Sequence, residues 1–144
     1  MSIKVYTDGA CKGNPGRGGW GVLIIEGQST KEFYGGEPSS TNNLMEMQAA
    51  IEALKFLKGR SECIELYTDS NYLKNGITDW IKNWKSNGWK NASKKSIANK
   101  AQWIQLDKLS SELNMRWKWV KAHDGDPGNE RADYLANLGA DSVL

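Results

Sequence analysis

The chain has little of what disulfide scaffolds, zinc sites and membrane proteins need. It contains two cysteines, Cys11 and Cys63, which form no CxxC pair, and one histidine, so nothing indicates a zinc cluster. No run of about eighteen apolar residues could cross a bilayer, and the N-terminus lacks the long apolar stretch of a secretory signal. We therefore expect a cytoplasmic protein with free thiols and no membrane association.

Acidic residues are absent from one long segment. Residues 80–106 hold none of the 17 Asp and Glu residues but six of the 19 Lys and Arg residues, so the rest of the chain is acidic on balance. The lysines are Lys82, Lys85, Lys90, Lys94, Lys95 and Lys100, and the tryptophans of the segment are Trp80, Trp84, Trp89 and Trp103. Two interpretations stay open: a solvated helical face over core tryptophans, or a phosphate-binding patch with aromatic support.

The hydrophobic pattern predicts a single α/β domain spanning residues 1–144. Alternating and β-branched runs predict five strands, at residues 3–7, 20–25, 30–34, 64–67 and 115–120. Helical spacing predicts helices at residues 43–58, 70–79, 81–87, 99–113 and 130–140. Because antiparallel strands come first and helices then alternate with strands, we expect a five-stranded mixed sheet, three antiparallel strands followed by parallel ones, flanked by helices.

The tripeptide Tyr-Thr-Asp occurs twice, each time at the end of a predicted strand. Asp8 closes the first copy and Asp69 closes the second. The connection between these strands allows them to be parallel neighbours, and the carboxyl ends of such strands border the usual ligand crevice. We therefore expect the two carboxylates to meet there, although an aspartate at a strand end is by itself more often a turn or cap residue.

Two further acids could join this pair. Glu46 lies near the start of a predicted helix, where Asn43 three residues earlier makes an ordinary capping box an alternative explanation. Asp133 lies in the first turns of the last predicted helix, where a negative charge suits the helix dipole. Four clustered carboxylates would repel one another unless protons or a cation compensated them. Oxygen ligands favour Mg²⁺ or Mn²⁺, and carboxylates that keep metal-bound waters suit phosphodiester hydrolysis.

The segment GACKGNPGRGG, residues 9–19, holds five glycines and is predicted as a loop. It is not a Walker A loop, and it precedes a strand rather than opening a helix. Its glycines could serve turns alone, or they could let backbone amides approach a nucleic-acid backbone.

Four segments together resemble the bacterial type 1 ribonuclease H family, also called ribonuclease HI. They are YTDGACKGNPGRGGWG, TNNLMEMQAAIEAL, YTDSNYLKNGITDWIKNWKSNGWK and WVKAHDGDPGNERADYLA, and they span nearly the whole chain. The resemblance implies a ribonuclease H-like fold and endonucleolytic cleavage of the RNA strand of RNA–DNA hybrids, leaving 5′-phosphate and 3′-hydroxyl ends. It also implies dependence on Mg²⁺, and we expect one or two ions per site, with Mn²⁺ as a substitute.

The resemblance also assigns roles to individual residues. Asp8, Glu46, Asp69 and Asp133 match the family's metal-binding carboxylates, and His123 matches its catalytic histidine. The positions that match or lie among contacts to the hybrid are Cys11, Asn14, Thr41, Asn42, Asn43 and Asn71. The segment at about residues 80–100 matches a basic helical protrusion that holds the substrate, with Trp80, Lys82, Trp84, Lys85, Trp89, Lys90, Lys94 and Lys95.

Two alternatives to a hybrid-specific nuclease stay open. One is a related nuclease of the integrase or Holliday-junction resolvase type, and the other is a module that binds hybrids without cutting them. The basic segment and the asparagines of TNN favour the ribonuclease over the first alternative. Binding alone would not need clustered negative charge beside phosphate, which argues against the second. We expect the chain to act as a monomer.

Overall fold

The computed structural model describes residues 2–89, 97–122 and 124–143, and their five strands form one mixed sheet. The strand order is β3–β2–β1–β4–β5, with β1, β2 and β3 antiparallel and with β4 and β5 parallel to β1. The strands are β1 (Ser2–Gly13), β2 (Gly16–Glu26), β3 (Ser29–Ser40), β4 (Cys63–Thr68) and β5 (Asn114–Trp119). This sheet confirms the predicted fold class.

Within the described part of the chain, five α-helices accompany the sheet. They are α1 (Asn42–Phe56), α2 (Asn71–Asn75), α3 (Ile81–Ser86), α4 (Lys100–Ser111) and α5 (Pro127–Asp141), and a π-helical segment (Gly76–Trp80) joins α2 to α3. Within the described ranges, no helix combines the length and the apolar character that a membrane crossing requires.

The main core lies between the sheet and α1, which also packs on α4. The fully buried side chains of β1 and β2 that face α1 include Ile3, Val5 and Val22. From α1 come Met47, Ile51 and Leu54, and α4 adds Trp103 and Leu106. Because alternate residues of a strand point to opposite faces, the residues between these core positions are left for the other side of the sheet.

Helix α5 covers that other side by packing directly on the backbone of β2. A Cβ atom at Gly21 would lie 2.6 Å from the backbone oxygen of Ala132 and from the backbone nitrogen of Ala136. A Cβ at Gly19 would likewise overlap the backbone of α5. The glycines of GRGGWG therefore set how close the helix approaches the sheet.

Several predicted boundaries were wrong. β1 does not end near Asp8 but continues to Gly13, because residues 8–13 pair with residues 16–21 of β2. Most of the predicted glycine-rich loop is consequently a β-hairpin. Helix α1 begins one residue earlier than predicted, and its N-cap is Thr41, whose hydroxyl accepts a hydrogen bond from the Leu44 amide. Glu46 is therefore not part of a capping box with Asn43.

Candidate active site

The site lies where the β1–β4 ladder ends. The last parallel pair is Tyr6 with Tyr67, whose rings stack with centroids 4.7 Å apart. Asp8 and Asp69 each follow two residues later, so the equal spacing of the two Tyr-Thr-Asp copies brings both carboxylates to the same opening between the strands. The predicted meeting of Asp8 and Asp69 is therefore present, although Asp8 lies inside a strand rather than at its end.

Helix α1 adds the third carboxylate. Its first turns lie against Gly9, where a Cβ would be 2.5 Å from the Glu46 amide nitrogen. This close approach places one ligand oxygen from each of Asp8, Glu46 and Asp69 within 4.8 Å of one another. Asp133, from α5 on the opposite face of the sheet, lines the same open cleft of about 330 Å³. The structure thus gathers all four predicted acids around one cleft.

Burial and mutual repulsion raise the pKa values of two of these acids. Asp8 is only 4% exposed, and its burial, followed by the charge of Asp69, raises its pKa to about 8. Burial, followed by the charges of Asp8 and Asp69, also raises the pKa of Glu46. Among the described residues, the buried Glu46 Oε1 has no hydrogen-bond partner. Without a cation, the three carboxylates therefore cannot all be charged at neutral pH.

The cluster fits a hard divalent cation. Its donors are all carboxylate oxygens, the pKa shifts show an excess of negative charge, and an orphaned buried oxygen points to a missing positive partner. Asp8, Glu46 and Asp69 could hold such a metal ion, with Asp133 beside them.

Side chains that the sequence did not single out support two of the acids. The buried Asn129 donates from Nδ2 to Asp69 Oδ2 at 3.1 Å, and Trp119 Nε1 donates to the Asp69 backbone oxygen at 3.3 Å. Asn137 donates to the backbone oxygen of Asp133 at 2.9 Å and accepts from Lys12 at 2.7 Å. The sequence does contain the necessary pattern, because positions 129, 133 and 137 recur every four residues on one helix face.

The polar positions predicted to contact substrate lie at or near the cleft. Asn42, Asn43 and Asn71 line it, and Asn14 accepts a hydrogen bond from the Asn42 amide at 3.3 Å. The hydroxyl of Thr41 accepts the N-cap bond from the Leu44 amide, which leaves its proton able to donate. Cys11 does not line the cleft; its thiol lies 3.3 Å from the backbone oxygen of Ser40.

The predicted aromatic and basic segment divides into a buried part and an exposed part. Trp103 is fully buried, whereas Trp80 is 36% exposed and lies with Trp84 and Trp89 in a chain of aromatic contacts. Core packing therefore explains Trp103, as one interpretation expected, and leaves the other three indoles nearer the surface.

The lysines of this segment differ in their surroundings. Lys82 and Lys85 are exposed on α3, and Lys85 pairs with Asp107 at 3.3 Å. Four predicted site residues, namely Lys90, Lys94, Lys95 and His123, lie outside the described residues.

Comparison with known proteins gives a consistent family. The RNase H family model matches residues 1–141. A ribonuclease H of Cupriavidus necator is 53% identical over 143 residues, covering 99% of this chain and 98% of the relative. Ribonuclease HI of Pseudomonas aeruginosa is 56% identical over 137 residues, covering 95% of this chain and 92% of the relative.

Solved structures agree with the sequence relatives. The crystal structure of LC9-RNase H1, a type 1 RNase H with the type 2 active-site motif, superposes with a TM-score of 0.87 at 33% identity, covering 99% of this chain and 74% of that one. LC11-RNase H1, solved in complex with an RNA/DNA hybrid, superposes with a TM-score of 0.74 at 26% identity, covering 97% of both chains. The chain therefore belongs to the RNase H family.

Proposed function

We propose that the protein is an endonuclease that hydrolyses the RNA strand of RNA–DNA hybrids and leaves 5′-phosphate and 3′-hydroxyl ends. The observation that carries the proposal is the group of carboxylates Asp8, Glu46 and Asp69, held within 4.8 Å at the floor of an open cleft. Relatives named ribonuclease H that match nearly the whole chain, and a structural neighbour solved with an RNA/DNA hybrid, support the substrate.

The four acids Asp8, Glu46, Asp69 and Asp133 would hold one or two Mg²⁺ ions, with Mn²⁺ as a substitute. When bound, the ions orient the attacking water and stabilise negative charge on the phosphate and on the leaving oxygen. The protein contributes a fixed set of oxygens, because Asp8 lies within the sheet and Glu46 is anchored on α1. It also contributes an open cleft that a nucleic-acid strand can enter from solvent.

Selection of an RNA strand requires contacts to the 2′-hydroxyl group. We assign these contacts to polar groups of the cleft wall, principally Asn42, Asn43 and Asn71. Asn14, Thr41 and Cys11 contribute from the adjoining hairpin and helix start, where Asn14 is already bonded to the Asn42 amide. These neutral groups can approach phosphate and ribose oxygens without the repulsion that an acidic wall would cause.

Two further assignments complete the proposal. His123 transfers a proton to the leaving 3′-oxygen or assists product release; its match to the family's catalytic histidine, its place ten residues before Asp133 and the proton-transfer chemistry of imidazole support this role. The segment with Trp80, Lys82, Trp84, Lys85 and Trp89, continued by Lys90, Lys94 and Lys95, holds the hybrid beside the cleft. Exposed lysines on α3 and the partly exposed indole of Trp80 support this second role.

A cleavage assay tests the proposal directly. End-labelled RNA–DNA hybrid, duplex DNA and duplex RNA are incubated with the protein and Mg²⁺, and products are resolved by length. We expect cleavage of the RNA strand of the hybrid only. Asp69→Asn should abolish cleavage and keep hybrid binding, since it removes one ligand charge from a cluster that already repels itself.

The matched control is Asp141→Asn, which removes an exposed carboxylate at the far end of α5 and should leave the rate unchanged. Near-normal turnover by Asp69→Asn would contradict the assignment of the site. Binding of hybrid without cleavage by the wild-type protein would identify a binding module, and cleavage of branched duplex DNA would identify a resolvase-type nuclease.

A further inference from the structure

Asp69 is less constrained by its own secondary structure than the other acids of the site. It lies between the end of β4 at Thr68 and the start of α2 at Asn71, outside any helix or strand. Asp8 and Glu46, in contrast, are fixed by a strand and a helix. A carboxylate in a short connection, next to two like charges, would turn away from them unless another group restrained it.

Asn129 supplies that restraint from a different element. Its side chain is 3% exposed, and its amide nitrogen donates to Asp69 Oδ2 at 3.1 Å. An amide stabilises the carboxylate through a charge-assisted hydrogen bond but adds no positive charge that would compete with a cation. The bond also occupies one oxygen of Asp69, which limits rotation of the carboxylate.

The position of Asn129 is itself fixed twice. Its backbone amide donates to Asp126 Oδ1 at 3.0 Å, which is the N-cap bond of α5. The neighbouring Gly128 lies flat on the Tyr6 ring, since a Cβ there would be 2.6 Å from Tyr6 Cδ1. The N-cap bond orders the first turn of α5, and the contact of Gly128 with Tyr6 ties that turn to β1, so the turn cannot shift away from Asp69 without losing this contact.

We propose that Asn129 is a positioning residue: it holds the Asp69 carboxylate towards Asp8 and Glu46, so that the cluster is organised for a divalent cation before the cation arrives. Trp119 assists by bonding the Asp69 backbone oxygen from β5. The inference rests on the proposed function only in that the cation is the one the nuclease uses. Removal of a side chain that orients a metal ligand typically lowers metal affinity or activity by about 10- to 100-fold.

The test measures Mg²⁺ binding without substrate. Chelator-stripped wild-type protein and Asn129→Ala are titrated with Mg²⁺ in a calorimeter, and hybrid cleavage is measured in parallel at saturating Mg²⁺. We expect Asn129→Ala to bind Mg²⁺ about 10-fold more weakly or worse. Its kcat should fall while its KM for hybrid stays unchanged, because Asn129 is buried and is not among the residues that line the cleft.

Loss of stability alone must be separated from loss of positioning. Leu135→Ala is the matched control, because it removes a buried apolar side chain about two turns further along α5 that has no polar group to bond Asp69. It should lower the unfolding temperature and leave Mg²⁺ affinity unchanged. Where Asn129→Ala fails to fold, Asn129→Ser takes its place, with a hydroxyl too short to replace the amide.

The outcomes are distinct. Unchanged Mg²⁺ affinity and kcat in a folded Asn129 variant would overturn the positioning role. If the wild-type protein binds Mg²⁺, loses that binding on substitution of Asn129 and cuts no hybrid, the positioning role stands and the proposed function fails.

Discussion

At the scale of single residues, Asp8 shows that negative charge in the metal-free site is energetically unfavourable. Its carboxyl group is buried in the sheet, and its neighbours Asp69 and Glu46 are also acidic. The Gly9 amide donates to Asp8 Oδ1 at 2.9 Å. Burial, followed by the negative charge of Asp69, outweighs the stabilisation of the carboxylate by such bonds, and the pKa of Asp8 rises to about 8.

The raised pKa predicts how stability depends on pH in the metal-free protein. The pKa of an aspartate in the unfolded chain is about 4, whereas the pKa of Asp8 in the folded chain is about 8. Between these values the folded state binds the extra proton, so the free energy of unfolding falls as pH rises from 4 to 8. Asp8→Asn removes this pH-dependent loss of stability, because asparagine has no carboxyl group to ionise. At pH 8 with chelator, we expect its unfolding temperature to exceed that of the wild type by more than roughly 4 °C, the shift that about 1 kcal/mol produces in a chain of this size.

Thermal unfolding followed by circular dichroism at several pH values checks this expectation. The difference between Asp8→Asn and wild type should shrink as pH falls and should disappear below about pH 4, where both states are protonated. The exposed Asp141→Asn serves as the control and should show no such trend. A constant difference at all pH values would mean that packing, and not titration, separates the two proteins.

At the scale of elements, the docking of α5 determines whether the two sides of the site meet. The helix carries Asp133 and Asn129, and it rests on the bare backbone of β2 at Gly19 and Gly21. Gly21 pairs directly with Asp8 in the β1–β2 ladder. Any increase in the distance between α5 and β2 would therefore act next to the carboxylate cluster.

Gly21→Ala should separate α5 from the sheet, because the added Cβ has backbone atoms of Ala132 and Ala136 within 2.6 Å. Overpacking of this kind costs about 1–3 kcal/mol, and we expect that loss in urea unfolding together with weaker Mg²⁺ binding. The control is Gly27→Asn, at a turn with φ +62°, a conformation that asparagine tolerates; an added Cβ there would meet no atom of the described residues within 4 Å other than those of its chain neighbours. Equal stability of the two variants would show that α5 can move without cost.

The sequence predicted the interior of most elements and missed several of their ends. Apolar periodicity marks where a helix or strand is buried, but the end of a strand depends on its partner. β1 continues through Asp8 because β2 supplies a paired backbone, and no property of residues 8–13 alone indicates this. The start of α5 could have been predicted from the sequence, since Asp126 followed by Pro127 is a typical pair of N-cap and first helical residue.

The sequence predicts the carboxylates of the site that follow the strands, but it does not predict the side chain that α5 contributes. The two Tyr-Thr-Asp copies predicted that Asp8 and Asp69 lie close together. Each aspartate follows its tyrosine by two residues, and the two tyrosines pair in the β1–β4 ladder. The role of Asn129 depends on how α5 docks, and this docking follows from the contact of Gly128 with Tyr6. A predicted helix starting at Pro127 would have placed positions 129 and 133 on one helix face. It would not have shown that this face packs beside Asp69.

At the scale of the whole molecule, charge is unevenly distributed. The net charge is +2, but the site concentrates four acids at one cleft, and α3 with its neighbouring segment concentrates lysines. A polyanion would be repelled by the cleft alone and attracted by the lysines. We therefore predict that the basic segment compensates for the negative charge of the cleft when a nucleic acid binds.

Substitution of the lysines of α3 tests whether the basic segment attracts the nucleic acid. Each lysine that contacts a phosphate contributes about −0.9 to the slope of log affinity against log salt for duplex DNA. Lys82 is exposed, whereas Lys85 is partly compensated by Asp107 at 3.3 Å. Lys82→Ala should therefore flatten the slope for hybrid binding by about 1, and Lys85→Ala should flatten it by less. Both should raise KM more than they lower kcat.

Fluorescence anisotropy of labelled hybrid between 50 and 200 mM salt, with an Asp69→Asn background to prevent cleavage, measures these slopes. The control is Lys58→Ala, which removes an exposed lysine beyond the C-terminal end of α1, about 18 Å along the helix axis from Glu46. It changes net charge by the same amount as Lys82→Ala. If both variants flatten the slope equally, overall charge and not a phosphate contact at α3 governs binding, and the segment is only a solvated helical face.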